Sequence, residues 1–155
     1  MKKILLTSLL LLGLSVTTLT AEVKVGKAFP TLSLVDQFDK KTEVKTKGST
    51  TLMLSFEKDV SKQIKNFIQS QEENYLTLRK IHYISDISEM PSLVTSLFAI
   101  PKMKKFNFNI SLIYDEKEAK TLIREEGKVT IVTLKDNKVM KIKFVLPEEL
   151  GTVLK

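Results

Sequence analysis

The chain has 155 residues, with 25 Lys and Arg against 18 Asp and Glu, a formal net charge of +7, one histidine and no cysteine. The length suits one ordinary domain. The missing sulfur excludes thiol nucleophiles, thiolate metal centres and dithiol exchange; a lone histidine excludes a histidine-cluster metal site and argues against a Ser-His-acid triad.

The first segment reads as a targeting signal. Lys2 and Lys3 precede the apolar run "ILLTSLLLLGLSV", and "TTLTA" follows with small residues. That pattern predicts a secretory signal peptide over residues 1–21, cut after Ala21, and a single domain over 22–155. The apolar run falls short of the roughly 20 residues a spanning helix needs, and a lipoprotein signal would require a cysteine. The expected location is therefore the bacterial periplasm or the exterior, with no stable membrane anchor after cleavage. Cleavage removes two lysines and no acid. The remaining basic residues are spread out, and the densest run is "PKMKKF", Pro101 to Phe106. Nucleic-acid binding wants a clustered stripe on a known module, so no nucleic-acid partner is expected.

From Pro30, "PTLSLVDQFDKKTEV" alternates at Leu32 and Leu34, turns around Asp39 and Lys40, and returns at Val44. It predicts a small hairpin. "TTLMLSF" is a continuous apolar run, the mark of a strand buried on both faces. Asp59 is the expected cap of the next helix, whose apolar face is Val60, Ile64, Phe67 and Ile68. A second helical piece is expected within "EENYLTLRK". "IHYISDI", Ile81 to Ile87, predicts another central strand.

"SEMPSLVTSLFAIP" repeats apolar residues at Met90, Leu93, Val94, Leu97 and Phe98, the spacing of a helix packing face. Pro91 suits its first turn, and Pro101 is expected to end it. Met103, Phe106 and Phe108 in "PKMKKFNF" are expected to face the core, since they lead into the strand Asn109 to Tyr114. A short helix or polar turn then ends at Gly127. "KVTIVTLKDNKVMKIKFV" is a hairpin about Asp136-Asn137. "PEELGTVLK" predicts a final helix started by Pro147 and packed by Leu150, Val153 and Leu154. Strands alternating with amphipathic helices imply an α/β fold, with a mixed central sheet between helical layers.

That order resembles the thioredoxin-like superfamily, in particular its peroxiredoxin-type branch. "VGKAFPTLSLVDQFDKK", Val25 to Lys41, is similar to the opening of such domains. "FNISLIYDEKEAK", the last hairpin and "PEELGTVLK" are similar to their closing half. The resemblance implies a thioredoxin-like mixed central sheet with helices on both faces and an N-terminal β-hairpin. Active members carry a cysteine in the turn after the strand matching "LMLSF"; here that turn is "EKDVSK". They also carry a proline before the closing hairpin, where this chain has Lys128 or Val129. The resemblance therefore implies a redox-inactive version of the fold, and none of the family's catalytic residues carries over.

Ligands of open α/β sheets bind beyond the carboxyl ends of the strands. Two such ends are legible: Glu57-Lys58-Asp59, and Asp86 with Ser88. If the two strands are neighbours, Lys58, Asp59, Ser61, Lys62 and Asp86 converge near a helix N-terminus, whose free N–H groups favour an anion. The plainer reading of the same residues is a capped helix with solvated lysines. An acid–base pair of Asp59 and Asp86, or an oxygen-rich calcium-like site adding Glu57, lacks a supporting motif. No metal or catalytic residue is assigned. His82, alone on its strand, reads as structural. With five scattered glycines and no Gly-x-Gly-x-x-Gly turn, no nucleotide cofactor is expected, nor any other.

The expected function is an exported, non-enzymatic binding or interaction module for a protein partner or a small anionic ligand. The alternative is a cysteine-free accessory to a periplasmic redox system.

Overall fold

Three parallel strands form the centre of the molecule: β3 (Ser49–Ser55), β4 (Ile81–Asp86) and β5 (Ser111–Ile113). The computed structural model describes residues 22–45 and 47–155; the expected signal peptide and its cut lie outside the described residues. The register sets Met53 beside Tyr83 and Ser55 beside Ser85. On one side of this centre, β1 (Leu34–Asp36) runs antiparallel to β5 and pairs with β2 (Lys41–Thr42). On the other, β6 (Val129–Lys135) runs antiparallel to β3 and pairs with β7 (Lys138–Val145). The sheet order is β2-β1-β5-β4-β3-β6-β7.

Side chains alternate between the two faces of a strand, and that alternation builds two cores. Met53, Tyr83, Leu112 and Ile131 face one way. They pack against Val60, Ile64 and Ile68 of α1 (Lys58–Gln69), Leu76 of α2 (Tyr75–Leu78) and Leu150 of α6 (Leu150–Val153). Leu52, Leu54, Ile84 and Val132 face the other way, against Val23, Phe29 and Leu32 of the N-terminal segment. They also meet Ala119 of α5 (Glu116–Ala119) and Leu122. Helices thus lie on both faces, but the second face is covered mostly by extended chain. Truncating a wholly buried residue such as Ile64 to alanine costs about 2–5 kcal/mol, because it removes apolar contact and leaves a void.

Local chemistry explains the turns. Asp36 Oδ1 accepts from Phe38 N–H at 2.8 Å and Lys40 N–H at 3.0 Å, closing the N-terminal hairpin. Asp136 and Asn137 have φ of 48° and 62°, the paired positive values a tight two-residue hairpin requires. Asp115 Oδ1 accepts from Lys117 N–H at 2.7 Å and so caps α5. The backbone of the N-terminal segment lies along the start of β7: Val139 N–H donates to Lys27 O at 2.8 Å, and Gly26 N–H to Val139 O at 2.8 Å. An edge that would otherwise offer free N–H and C=O groups is thereby covered.

Three expectations are corrected. Helix α1 begins at Lys58 with Glu57 at the cap position, and that residue makes no side-chain cap bond. Asp59 lies inside the first turn, where its charge complements the helix dipole instead of capping. The helical stretch after β4 does not end before Pro101. It runs through α3 (Ser92–Val94), a π turn (Thr95–Ala99) and α4 (Ile100–Met103), with Pro101 at the start of α4. A proline has no N–H to donate to the preceding turn, and the widened π turn immediately upstream accommodates that loss. Finally, Leu93, Leu97 and Phe98 of this stretch are exposed, with Leu97 at 58% and Phe98 at 69%. Met90 of the expected face does pack on the core, as do Met103, Phe106 and Phe108, and Ile100 joins them.

Candidate functional site

The parallel pairing of β3 and β4 brings their carboxyl ends side by side. Ser55, Tyr83 and Ser85 share the parity that points toward α1. Ser55 and Tyr83 are 0% and 2% exposed, and Ser85 is buried with them. Buried hydroxyls need partners, and these supply one another. Ser55 Oγ lies 3.0 Å from Tyr83 Oη and donates to Ser85 Oγ at 3.1 Å. Ser61, one turn into α1, donates to Ser55 Oγ at 2.9 Å and also reaches Glu57 O at 2.9 Å. Burial pushes the Tyr83 phenol above its ordinary pKa, with the Ser55, Ser61 and Ser85 hydroxyls pulling it partly back. It is therefore a neutral phenol at physiological pH.

The corner where β3 and β4 end is filled by this hydroxyl cluster and one carboxylate. Glu57 Oε1 accepts from Gly127 N–H at 2.8 Å, joining the turn after β3 to the turn before β6. Gly127 adopts φ of +70°, a conformation glycine reaches without strain.

Asp86 closes the neighbouring strand. Its Oδ1 accepts from Ser88 N–H at 2.9 Å and from Ser88 Oγ at 2.7 Å. Its Oδ2 lies 3.4 Å from Arg124, whose guanidinium stacks 4.0 Å from the centre of the Phe56 ring. Both carboxylate oxygens are thus engaged within the protein, and the Asp86 side chain is 5% exposed. That arrangement orients a loop; it leaves no free base for an acid–base pair with Asp59. Among the described residues, no group of three or more His, Asp or Glu side chains is placed to hold a metal ion.

A cavity of about 580 Å³ opens between α1, the end of β4 and the α3–α4 stretch. Its floor includes Tyr83, Ser85 and Ser61. Met90, Val94, Phe98, Met103, Phe106 and Ile110 make an apolar wall; four lysines, Lys58, Lys62, Lys65 and Lys102, and two acids, Asp86 and Glu89, supply the charged part of the lining. None of these four lysines enters an ion pair among the described residues. The size is that of a small-molecule site, and the combination of apolar wall and a few charged groups is typical of one.

Of the residues singled out from sequence, Lys58, Ser61, Lys62 and Asp86 border this cavity; Asp59 does not line it. Sequence reasoning missed Ser55, Tyr83 and Ser85, although their common parity on β3 and β4 was a usable signal. It also missed Arg124 and the helical wall, which reach the site only through tertiary packing. His82 lies on the other parity. Its Nε2 is 2.6 Å from Ser111 Oγ, which in turn is 2.7 Å from Thr42 Oγ1. This chain ties β4 to β5 and β2, well removed in role from the cavity.

No protein-family model and no curated protein matches the chain. Solved structures do. A thioredoxin domain of a thiol-disulfide oxidoreductase from Bacteroides vulgatus aligns at a TM-score of 0.56 and 12% identity, over 86% of this chain and 100% of that one. A peroxidoxin from Mycobacterium tuberculosis aligns at 0.56 and 14% identity, over 86% and 94%. A thiol:disulfide interchange protein from a Bacteroides species aligns at 0.54 and 11% identity, over 84% and 88%. Identities this low speak for architecture alone. By that likeness this chain has a thioredoxin-like fold, and it has it without a cysteine.

Proposed function

We propose that the chain is an exported, non-enzymatic binding module, working in the periplasm or outside the cell, whose site is the cavity at the carboxyl ends of β3 and β4. The ligand is anionic. The observation that carries this reading is the set of four lysines, without ion-pair partners among the described residues, around a cavity of about 580 Å³. Three of them, Lys58, Lys62 and Lys65, recur along α1 at helical spacing and so share one face. Unpaired lysines at a concave surface create a positive field that attracts anions.

Chemistry is not required by this geometry. The buried hydroxyls satisfy one another, the Asp86 oxygens are occupied, and cysteine exchange is impossible. The test is thermal unfolding of the chain, purified after expression with its leader, against a panel of small carboxylates, phosphate and cationic controls. A ligand at a hundred times its dissociation constant stabilises by about 2.7 kcal/mol. Anions raise the melting temperature, and Lys62→Glu with Lys102→Glu abolishes the rise. Equal response to anions and cations contradicts the reading. N-terminal sequencing of the exported product checks export, which predicts a chain starting at Glu22.

A further inference from the structure

We infer that the ligand is an amphipathic anion, a single aliphatic chain ending in a carboxylate; this inference rests on the binding role proposed above. A small hydrophilic anion would meet the lysines and leave the wall unfilled. That wall is apolar along its length, from buried Ile110 at the inner end to exposed Phe98 at the outer. It includes Met90 and Met103, whose unbranched side chains adapt to irregular or flexible chains. The lysine row comes from α1 and Lys102 from α4, and all four line the cavity. Lysine stems are themselves apolar, so the row contributes hydrocarbon surface below its ammonium heads.

The floor reinforces this division. The hydroxyls of Ser55, Ser61, Tyr83 and Ser85 bond to one another and to Glu57 O. A ligand head has no need of them, and the lysines are the groups left to neutralise it. The carboxylate therefore sits at the lysine row and the chain lies against the methionine and phenylalanine wall. The π turn, Thr95–Ala99, carries Phe98 and Ala99 into that wall. Insertions of this kind are frequent at functional sites. Phe98 is 69% exposed, so its ring is surface that an aliphatic chain would cover.

The test is calorimetric titration of the purified chain with dodecanoate below its micelle concentration. Dodecyltrimethylammonium, acetate and phosphate are run beside it, with phosphatidylglycerol vesicles as a separate arm. Dodecanoate binds, and dodecyltrimethylammonium binds roughly tenfold more weakly or worse, a difference of about 1.4 kcal/mol. Lys62→Glu with Lys65→Glu weakens dodecanoate by a similar factor. Phe98→Ser, an exposed change that leaves the melting temperature of the free protein in place, also weakens it. If acetate and phosphate bind in a lysine-dependent way and dodecanoate binds no tighter, the inference fails while the anion-binding role stands. If no anion binds, both fail. Capture on vesicles that Phe98→Ser weakens, with no binding of free dodecanoate, assigns the wall to a membrane surface and overturns the inference.

Discussion

The Ser55 hydroxyl lies 3.0 Å from the Tyr83 hydroxyl, and the two side chains, on adjacent parallel strands, are almost completely removed from water. Removing Ser55 takes away the hydrogen-bond partner of the Tyr83 hydroxyl, whereas Ser55 keeps Ser85 and Ser61 when Tyr83 loses its hydroxyl; an unpaired buried hydroxyl costs about 1–3 kcal/mol. Ser55→Ala is therefore expected to destabilise the fold by about that much. Tyr83→Phe removes the buried hydroxyl itself and costs less, about 1 kcal/mol. In the double variant the two losses are less than additive, because the Tyr83 hydroxyl that Ser55→Ala would strand is then absent. Urea unfolding of the three variants measures this, and simple additivity would show that the pair is not coupled.

Gln37 holds the N-terminal hairpin to the main sheet. Its side chain is wholly buried, Nε2 donates to Phe108 O at 2.8 Å, and Oε1 accepts from Ile110 N–H at 3.0 Å. Gln37→Ala leaves two backbone groups without partners and opens a void. We expect a loss of about 2 kcal/mol or more. Hydrogen exchange would show the loss of protection centred on the Ile110 amide. A variant as stable as the parent would mean that this bridge carries little of the hairpin's attachment.

His82 predicts a pH dependence. Burial, and then the nearby Lys45 charge, push its imidazole below the ordinary value of about 6.5. The unfolded chain then binds the proton more readily than the folded one. Above the ordinary value both states are neutral and nothing is lost. As pH falls through that value toward the depressed folded one, stability declines. His82→Gln is expected to remove this part of the acid slope in a series of melts from pH 8 to pH 5. An unchanged slope would assign it to carboxylates instead.

The central strands, the first helix and both hairpins were legible because their signals are local. A continuous apolar run marks β3, period 3.6 marks α1, and Asp136-Asn137 marks the last turn. The stretch from Ser92 to Met103 was misread for a physical reason. Its apolar repeat at Leu93, Val94, Leu97 and Phe98 is that of a packing face, yet this face meets solvent. Periodicity reports that a face is apolar, and does not say what covers it. The joint of Glu57 with Gly127 and that of Asp86 with Arg124 link residues far apart in the chain, which no local pattern encodes.

The most direct test of the account is a residue-resolved nuclear magnetic resonance titration of the chain with dodecanoate. The account predicts that the largest amide shifts fall on Ser61, Lys62, Phe98 and Met103, around one cavity. Shifts confined to the far edges of the sheet, at Thr42 or Met140, or no saturable shift at any residue, would contradict it.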